Sequence, residues 1–65
     1  MHEIEAQGKI VEVMTREAFR AELANGHVCV ARPAKGVADD FAVGDAVVLA
    51  FSPADLSRAR ILRRP

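Results

Sequence analysis

The segment Phe19-Arg20-Ala21-Glu22-Leu23-Ala24-Asn25-Gly26-His27-Val28 constrains the fold more tightly than any other part of the chain. Phe19, Ala21 and Leu23 alternate with Arg20 and Glu22, the period-two pattern of a strand with one face buried and one face wet. Asn25-Gly26 follows, and both residue types tolerate the positive φ that a type I′ turn needs at its two central positions. Beyond the turn, Val28 and Val30 alternate with His27 and Cys29, so a second strand folds back antiparallel on the first. Hairpin and register are both specified locally.

Strands are also expected elsewhere. Over residues 4–14, Ile4, Ala6, Gly8 and Ile10 share one face, and then Val11 and Val13 put apolar groups on the other. That switch next to Gly8 predicts a bend or bulge, the device by which a small barrel turns a corner. The hairpin strands cover residues 18–23 and 27–31, the second stopping before Pro33, which cannot donate a ladder hydrogen bond. Residues 33–44 form the longest segment without strand character, with room for no more than a single helical turn. Residues 45–51 are an apolar strand entered through Gly44-Asp45. Ser52-Pro53-Ala54-Asp55-Leu56-Ser57 reads as one capped helical turn, with Ser52 as N-cap and Pro53 at the first helical position. A last strand, residues 58–63, alternates Arg58 and Arg60 with Ala59 and Ile61. Five short strands and at most one helical turn predict an all-β fold, a small closed or partly open five-stranded barrel.

At 65 residues the chain has room for one domain, residues 1–65, and one core. Such a chain buries only about 60% of its unfolded surface, so modest stability is expected. No stretch reaches the roughly 18 apolar residues of a membrane helix. The acidic start Met1-His2-Glu3-Ile4-Glu5 lacks the apolar region of a secretory signal, and His2 is expected to be disordered. A lone Cys29 cannot form an internal disulfide, which fits a reducing, cytoplasmic setting. Net charge is zero but unevenly spread: residues 52–65 carry four arginines against one aspartate, whereas residues 1–26 carry five acids against three bases.

With these segments in view, the chain resembles bacterial translation initiation factor one, a small S1-like OB-fold protein. The likeness is carried by Ile4-Glu5-Ala6-Gln7-Gly8, the hairpin from Phe19-Arg20 to Val28, Gly44-Asp45, and the run Ser52-Pro53-Ala54-Asp55-Leu56-Ser57-Arg58-Ala59-Arg60-Ile61. These segments occur in the family's order over most of the chain, and the Asp-Leu-Ser-basic-x-Arg-Ile run is the most diagnostic. The resemblance implies a monomeric factor that binds the small ribosomal subunit near its decoding site. It would touch ribosomal RNA and subunit protein, work beside initiation factors two and three, and perform no covalent chemistry. By position, Arg58, Arg60 and Arg64 match basic residues of the family's last strand and tail, and Phe19, Arg20 and His27 match its hairpin. The chain departs from the family between strands 3 and 4. A longer basic loop is replaced by a shorter one centred on Val37-Ala38-Asp39-Asp40-Phe41, and Arg32-Pro33 stands where the family has His-Ile. Two alternatives follow: a diverged RNA-binding or RNA-chaperone relative outside initiation, or a barrel serving protein interaction.

Arg58, Arg60, Arg63 and Arg64 form the leading candidate RNA site. Arg58 and Arg60 lie two residues apart on one strand face, roughly 7 Å, close to the spacing of phosphates along an extended single strand. Against this stands the bland alternative of an edge strand kept from aggregating by its charge. Arg32 follows the third strand at the rim of the usual OB binding face and extends the site. Arg20 extends it too, or else pairs with Glu22 or Glu12. Phe19 belongs to the core or to the RNA face, and His27, just after a tight turn, is expected to be exposed. Phe41 and Phe51 are assigned to the core. With few aromatics on which to stack bases, binding is expected to be electrostatic and blind to sequence. Cys29 and His27 lack further ligands for zinc, and Asp39-Asp40 is expected to be solvated. No Gly-rich phosphate loop and no nucleophile–base set is present, so neither enzyme activity nor a cofactor or metal is expected.

Overall fold

The computed structural model describes residues 3–65, so His2 lies outside the described residues. Five strands, β1 (Ile4–Thr15), β2 (Ala18–Leu23), β3 (Val28–Pro33), β4 (Ala46–Ser52) and β5 (Asp55–Arg63), close into a barrel. Around the barrel the order is β1-β2-β3-β5-β4, with β4 returning to β1. All neighbours are antiparallel except β3 and β5. No helix occurs among the described residues.

Closure depends on β1 serving two neighbours in succession. Residues 4–9 pair with β4 from Phe51 back to Ala46, and residues 8–15 pair with β2. Gly8 and Lys9 therefore have partners on both sides. A Cβ on Gly8 would stand 3.0 Å from the Glu22 carbonyl oxygen and 3.0 Å from Leu49 Cδ1, so only glycine fits this corner without displacement. The expected irregularity in β1 is present but displaced. The register slips between Ile10 and Glu12 and again between Val13 and Thr15, not at Gly8 itself.

The interior is filled by Ile10, Phe19, Val47, Leu49 and Ile61, all below 2% exposure. Small side chains, Ala21, Cys29, Ala31 and Ala59, occupy the remaining inward positions. In β3 the inward set is Cys29 and Ala31, because they pair with Ala21 and Phe19, while Val28 and Val30 face outward. The larger apolar residues were thus outside and the smaller ones inside, where the Phe19 ring takes the volume. Phe41, from the loop between β3 and β4, is drawn into the core with its ring 5.7 Å from that of Phe19 in an edge-to-face contact. Burial pushes the Cys29 thiol above its ordinary value.

Three local expectations are corrected. The β2–β3 connection is not a type I′ turn, because Gly26 has φ 88° and no other described residue except Gly36 and Gly44 has positive φ. Instead Gly26 N donates to Leu23 O and Leu23 N to His27 O. This is a loop over residues 24–26 ending in a left-handed glycine, the commonest three-residue hairpin. Asn25 uses its side chain rather than its backbone freedom, with Oδ1 accepting from His27 N at 3.0 Å. The helical turn expected over residues 52–57 is a tight β4–β5 hairpin with Ser52 opposite Asp55. Ser and Pro serve a turn as readily as a helix start, and here Ser52 Oγ accepts from Ala54 N at 3.1 Å. Pro33 lies inside β3 as its last residue, and the next donor, Ala34 N, bonds to Ile61 O and carries the ladder on.

Three substitutions at two glycines test this geometry. Gly26→Val is expected to lower stability by about 1 kcal/mol or more through backbone strain alone, since nothing lies within 4 Å of its Cβ position. Gly26→Asn is expected to cost clearly less, because Asn accepts the left-handed region. Gly8→Val, by contrast, fails through crowding and is expected to cost about 1–3 kcal/mol. Urea midpoints of the three variants give the ranking, and equal midpoints for the two Gly26 variants would refute the loop assignment.

Candidate nucleic-acid interface

Because Ala59 and Ile61 point inward, their neighbours Arg58 and Arg60 point to solvent. The parallel register sets Arg32 directly beside Arg60, and Val30 beside Arg58. Arg20 in turn lies opposite Val30 on β2. Four guanidinium-bearing positions from three strands thus share one outer face, centred on Val30. Adjacent strands are roughly 4.8 Å apart, so Arg32 and Arg60 form a like-charge cross-strand pair, an arrangement that costs stability unless an anion offsets it. Arg32, Arg58, Val30, Ser57 and Ala59 line a depression on this face. Val28 and Leu56, both exposed, continue the same face beyond the arginines.

The arginines differ in what holds them. Among the ion-paired arginines Arg58 is the most exposed, with 85% of its side chain in solvent and Asp55 Oδ2 only at 3.9 Å. Arg32 is exposed and makes no ion pair among the described residues. Arg60 is bound to Glu3, and Arg63 Nη2 lies 3.5 Å from Glu5 Oε1. Arg20 pairs with Glu12, Nε to Oε1 at 3.0 Å, which decides between the two acids its position allowed; the alignment is too poor for a hydrogen bond. Arg64 turns away from the β3/β5 face. Its guanidinium stacks 4.6 Å above the Phe41 ring and reaches Asp45 at 3.3 Å and Asp40 at 3.7 Å.

Two of the candidate contact residues are engaged within the fold. Phe19 is 1% exposed against Phe41 and offers no ring face to a base. Phe41 and Phe51 are buried as well, so no phenylalanine is available for stacking. His27 is half-buried rather than exposed, its Nε2 donating to Leu56 O at 2.6 Å. It ties the β2–β3 turn to β5. Asp55 also has a local role: its carboxylate accepts from Ser57 Oγ at 2.6 Å and from Ser57 N at 3.1 Å. The Ser57 bonds, with a smaller contribution from Arg58, hold its carboxyl below the usual range. Any stability this gives is present at neutral pH and disappears as the pH falls through that lowered value.

The acids Glu3 and Glu5 were missed as site residues. Glu5 sits opposite Ala50 on β4, and Ala50 sits opposite Arg60 on β5. Because Ala50 has almost no side chain, acids from β1 and the residue before it reach across β4 to the arginines. The alternation of Glu3 and Glu5 was visible in sequence, but nothing local said that a two-strand neighbour would be β5.

A closed five-stranded barrel of order β1-β2-β3-β5-β4, with a basic outer face on β3 and β5, defines an S1-like OB-fold protein. Translation initiation factor one from the Wolbachia endosymbiont, strain TRS, of Brugia malayi has the same fold. Its solution structure superposes with a TM-score of 0.78 at 25% sequence identity, over 97% of this chain and 78% of that one. No protein-family model matches the chain. The recognition drawn from the hairpin and the Asp55–Ile61 segment therefore agrees with the tertiary structure.

The surroundings of Arg64 give a stability prediction. Arg64→Ala is expected to cost up to about 1 kcal/mol by releasing the Phe41 loop, a fall of several degrees in Tm. Arg58→Ala, which removes only a loose exposed pair, is expected to leave Tm within about a degree. Thermal unfolding of the two variants side by side decides the matter, and equal losses would refute the latch role of Arg64.

Proposed function

We propose that this chain is an RNA-binding module of the initiation-factor-one type, docking on the small ribosomal subunit near its decoding site. The outer face of β3 and β5 meets ribosomal RNA, with Arg58, Arg60 and Arg32 on backbone phosphates and Arg63 and Arg20 at the margin. It acts in the cytoplasm as a monomer beside initiation factors two and three, as a binding partner and not as an enzyme. The likeness to a solved initiation factor over nearly the whole chain supports the assignment.

One observation carries the choice of face. β5 has a neighbour on each side, so its arginines guard no open sheet edge, and the protective role that would otherwise explain them is absent. Of the adjacent Arg32 and Arg60, only Arg60 has an acid, Glu3, so a phosphate at Arg32 would offset the charge that the fold leaves uncompensated. With every phenylalanine buried, recognition falls on the backbone and on shape.

A second reading has its own support. Asp39 and Asp40 project from the exposed part of the β3–β4 loop, and Asp40 and Asp45 already engage Arg64. An RNA-binding relative that acts outside initiation, with a reduced footprint, fits that loop.

Co-sedimentation with purified small subunits at low salt separates the two, because only the initiation-type reading expects the protein in the subunit fraction. For single-stranded RNA, three phosphate contacts predict a slope of roughly −2 in log K against log salt. Arg60→Ala is expected to lessen the slope by somewhat under one unit and to weaken all sequences alike. A sequence-dependent loss, or an unchanged affinity, would refute phosphate contact by Arg60.

A further inference from the structure

We infer that Glu3 and Glu5 are built-in competitors for the RNA backbone, occupying on Arg60 and Arg63 the places that two successive phosphates would take. The inference rests on the RNA-binding reading and adds to it how the affinity of that face is set.

The geometry is specific. Glu3 and Glu5 are two residues apart at the start of the chain, roughly 7 Å in extended backbone, which approximates the spacing of neighbouring phosphates on a stretched single strand. Each engages a different arginine, Glu3 with Arg60 and Glu5 with Arg63. The pairs span β4, where Ala50 lies in register between Glu5 and Arg60 and is 2% exposed although it is not part of the core cluster. The long side chains from either side therefore roof it over. About half of each of the four side chains remains exposed, so the carboxylates can be displaced without opening the barrel. Arg32 makes no ion pair among the described residues, and Arg58 holds Asp55 only loosely. The face is thus divided into a free half that meets RNA first, Arg58 and Arg32, and a masked half that is entered by exchange, Arg60 and Arg63.

Exchange has a consequence that simple charge does not. A phosphate arriving at Arg60 replaces a carboxylate instead of water, so its net gain is smaller than at Arg58. Only a polyanion already held at Arg58 and Arg32 has the effective concentration to complete the exchange. The acids select an extended polynucleotide over a lone phosphate.

The test measures binding of a fluorescent 12-nucleotide single-stranded RNA at low salt by the wild-type chain, Glu3→Gln/Glu5→Gln, and the control Glu17→Gln/Glu22→Gln. The control removes the same charge from two acids that make no ion pair among the described residues. The Glu3/Glu5 variant is expected to bind about fivefold tighter than the control, the effect of removing two exposed pairs. Arg60→Ala is expected to cost more affinity in the Glu3→Gln/Glu5→Gln background than in the wild type, because there Arg60 is free to bind phosphate fully. Tm of both double variants should stay within a few degrees of the parent. Equal tightening in the variant and the control, or an equal cost of Arg60→Ala in both backgrounds, would leave only general charge and overturn the inference while RNA binding stands. Absence of binding by every variant would remove the RNA-binding reading and the inference with it.

Discussion

The barrel depends on the point where β1 passes from one neighbour to the other. At Gly8 the chain pairs with Val47 on one side and Leu23 on the other, and the space a side chain would need is taken by a carbonyl and by Leu49. Closure follows from that shared strand, because the sheet that begins at β4 ends by meeting β4 again. Once closed, the sheet has no free edge and can enclose a core of few large residues. Ile10, two residues past Gly8, then points inward and is completely buried. Its backbone bonds to Asp45 and Gly44 at 2.9 and 2.8 Å fix the entry to β4, so strand crossing, core and loop exit are set within three residues.

The loop between β3 and β4 shows how this core reaches outward. Phe41 and Val37 turn toward the interior while Asp39 and Asp40 stay in solvent. Arg64 then closes over Phe41, held by Asp40 and Asp45. A segment that lacks regular structure is thereby anchored by one ring and one cation. Its acidic character is used within the molecule, to hold the C-terminal tail, and not only presented to a partner.

Charge is distributed by the same topology. Zero net charge taken alone suggests indifference to nucleic acid, but the average hides a sorting of residues by face. The parallel β3–β5 pair aligns Arg32 with Arg60 and brings Arg58 alongside Val30, while acids from the start of the chain come to Arg60 and Arg63 across a single alanine. The outer face of β3 and β5 is therefore partly free and partly neutralised, and its potential is a matter of local pairing more than of total charge.

The sequence by itself determined the strands, the hairpin of β2 and β3, the small all-β class and the outward direction of Arg58 and Arg60. Those follow from period-two patterning and from glycine, which act over a few residues. Where a local signal served two structures, sequence misled: Ser52-Pro53 suits a helix start and a tight turn equally, and Asn25-Gly26 suits more than one hairpin loop. The burial of Phe19, the half-burial of His27 against Leu56, and the turn of Arg64 toward Phe41 were decided only in three dimensions. So was the meeting of Glu3 and Glu5 with the arginines of β5, partners more than fifty residues away. Period two tells a side chain which face to take, but not which strand will lie beside it. That choice belongs to barrel closure, which is a property of the whole chain.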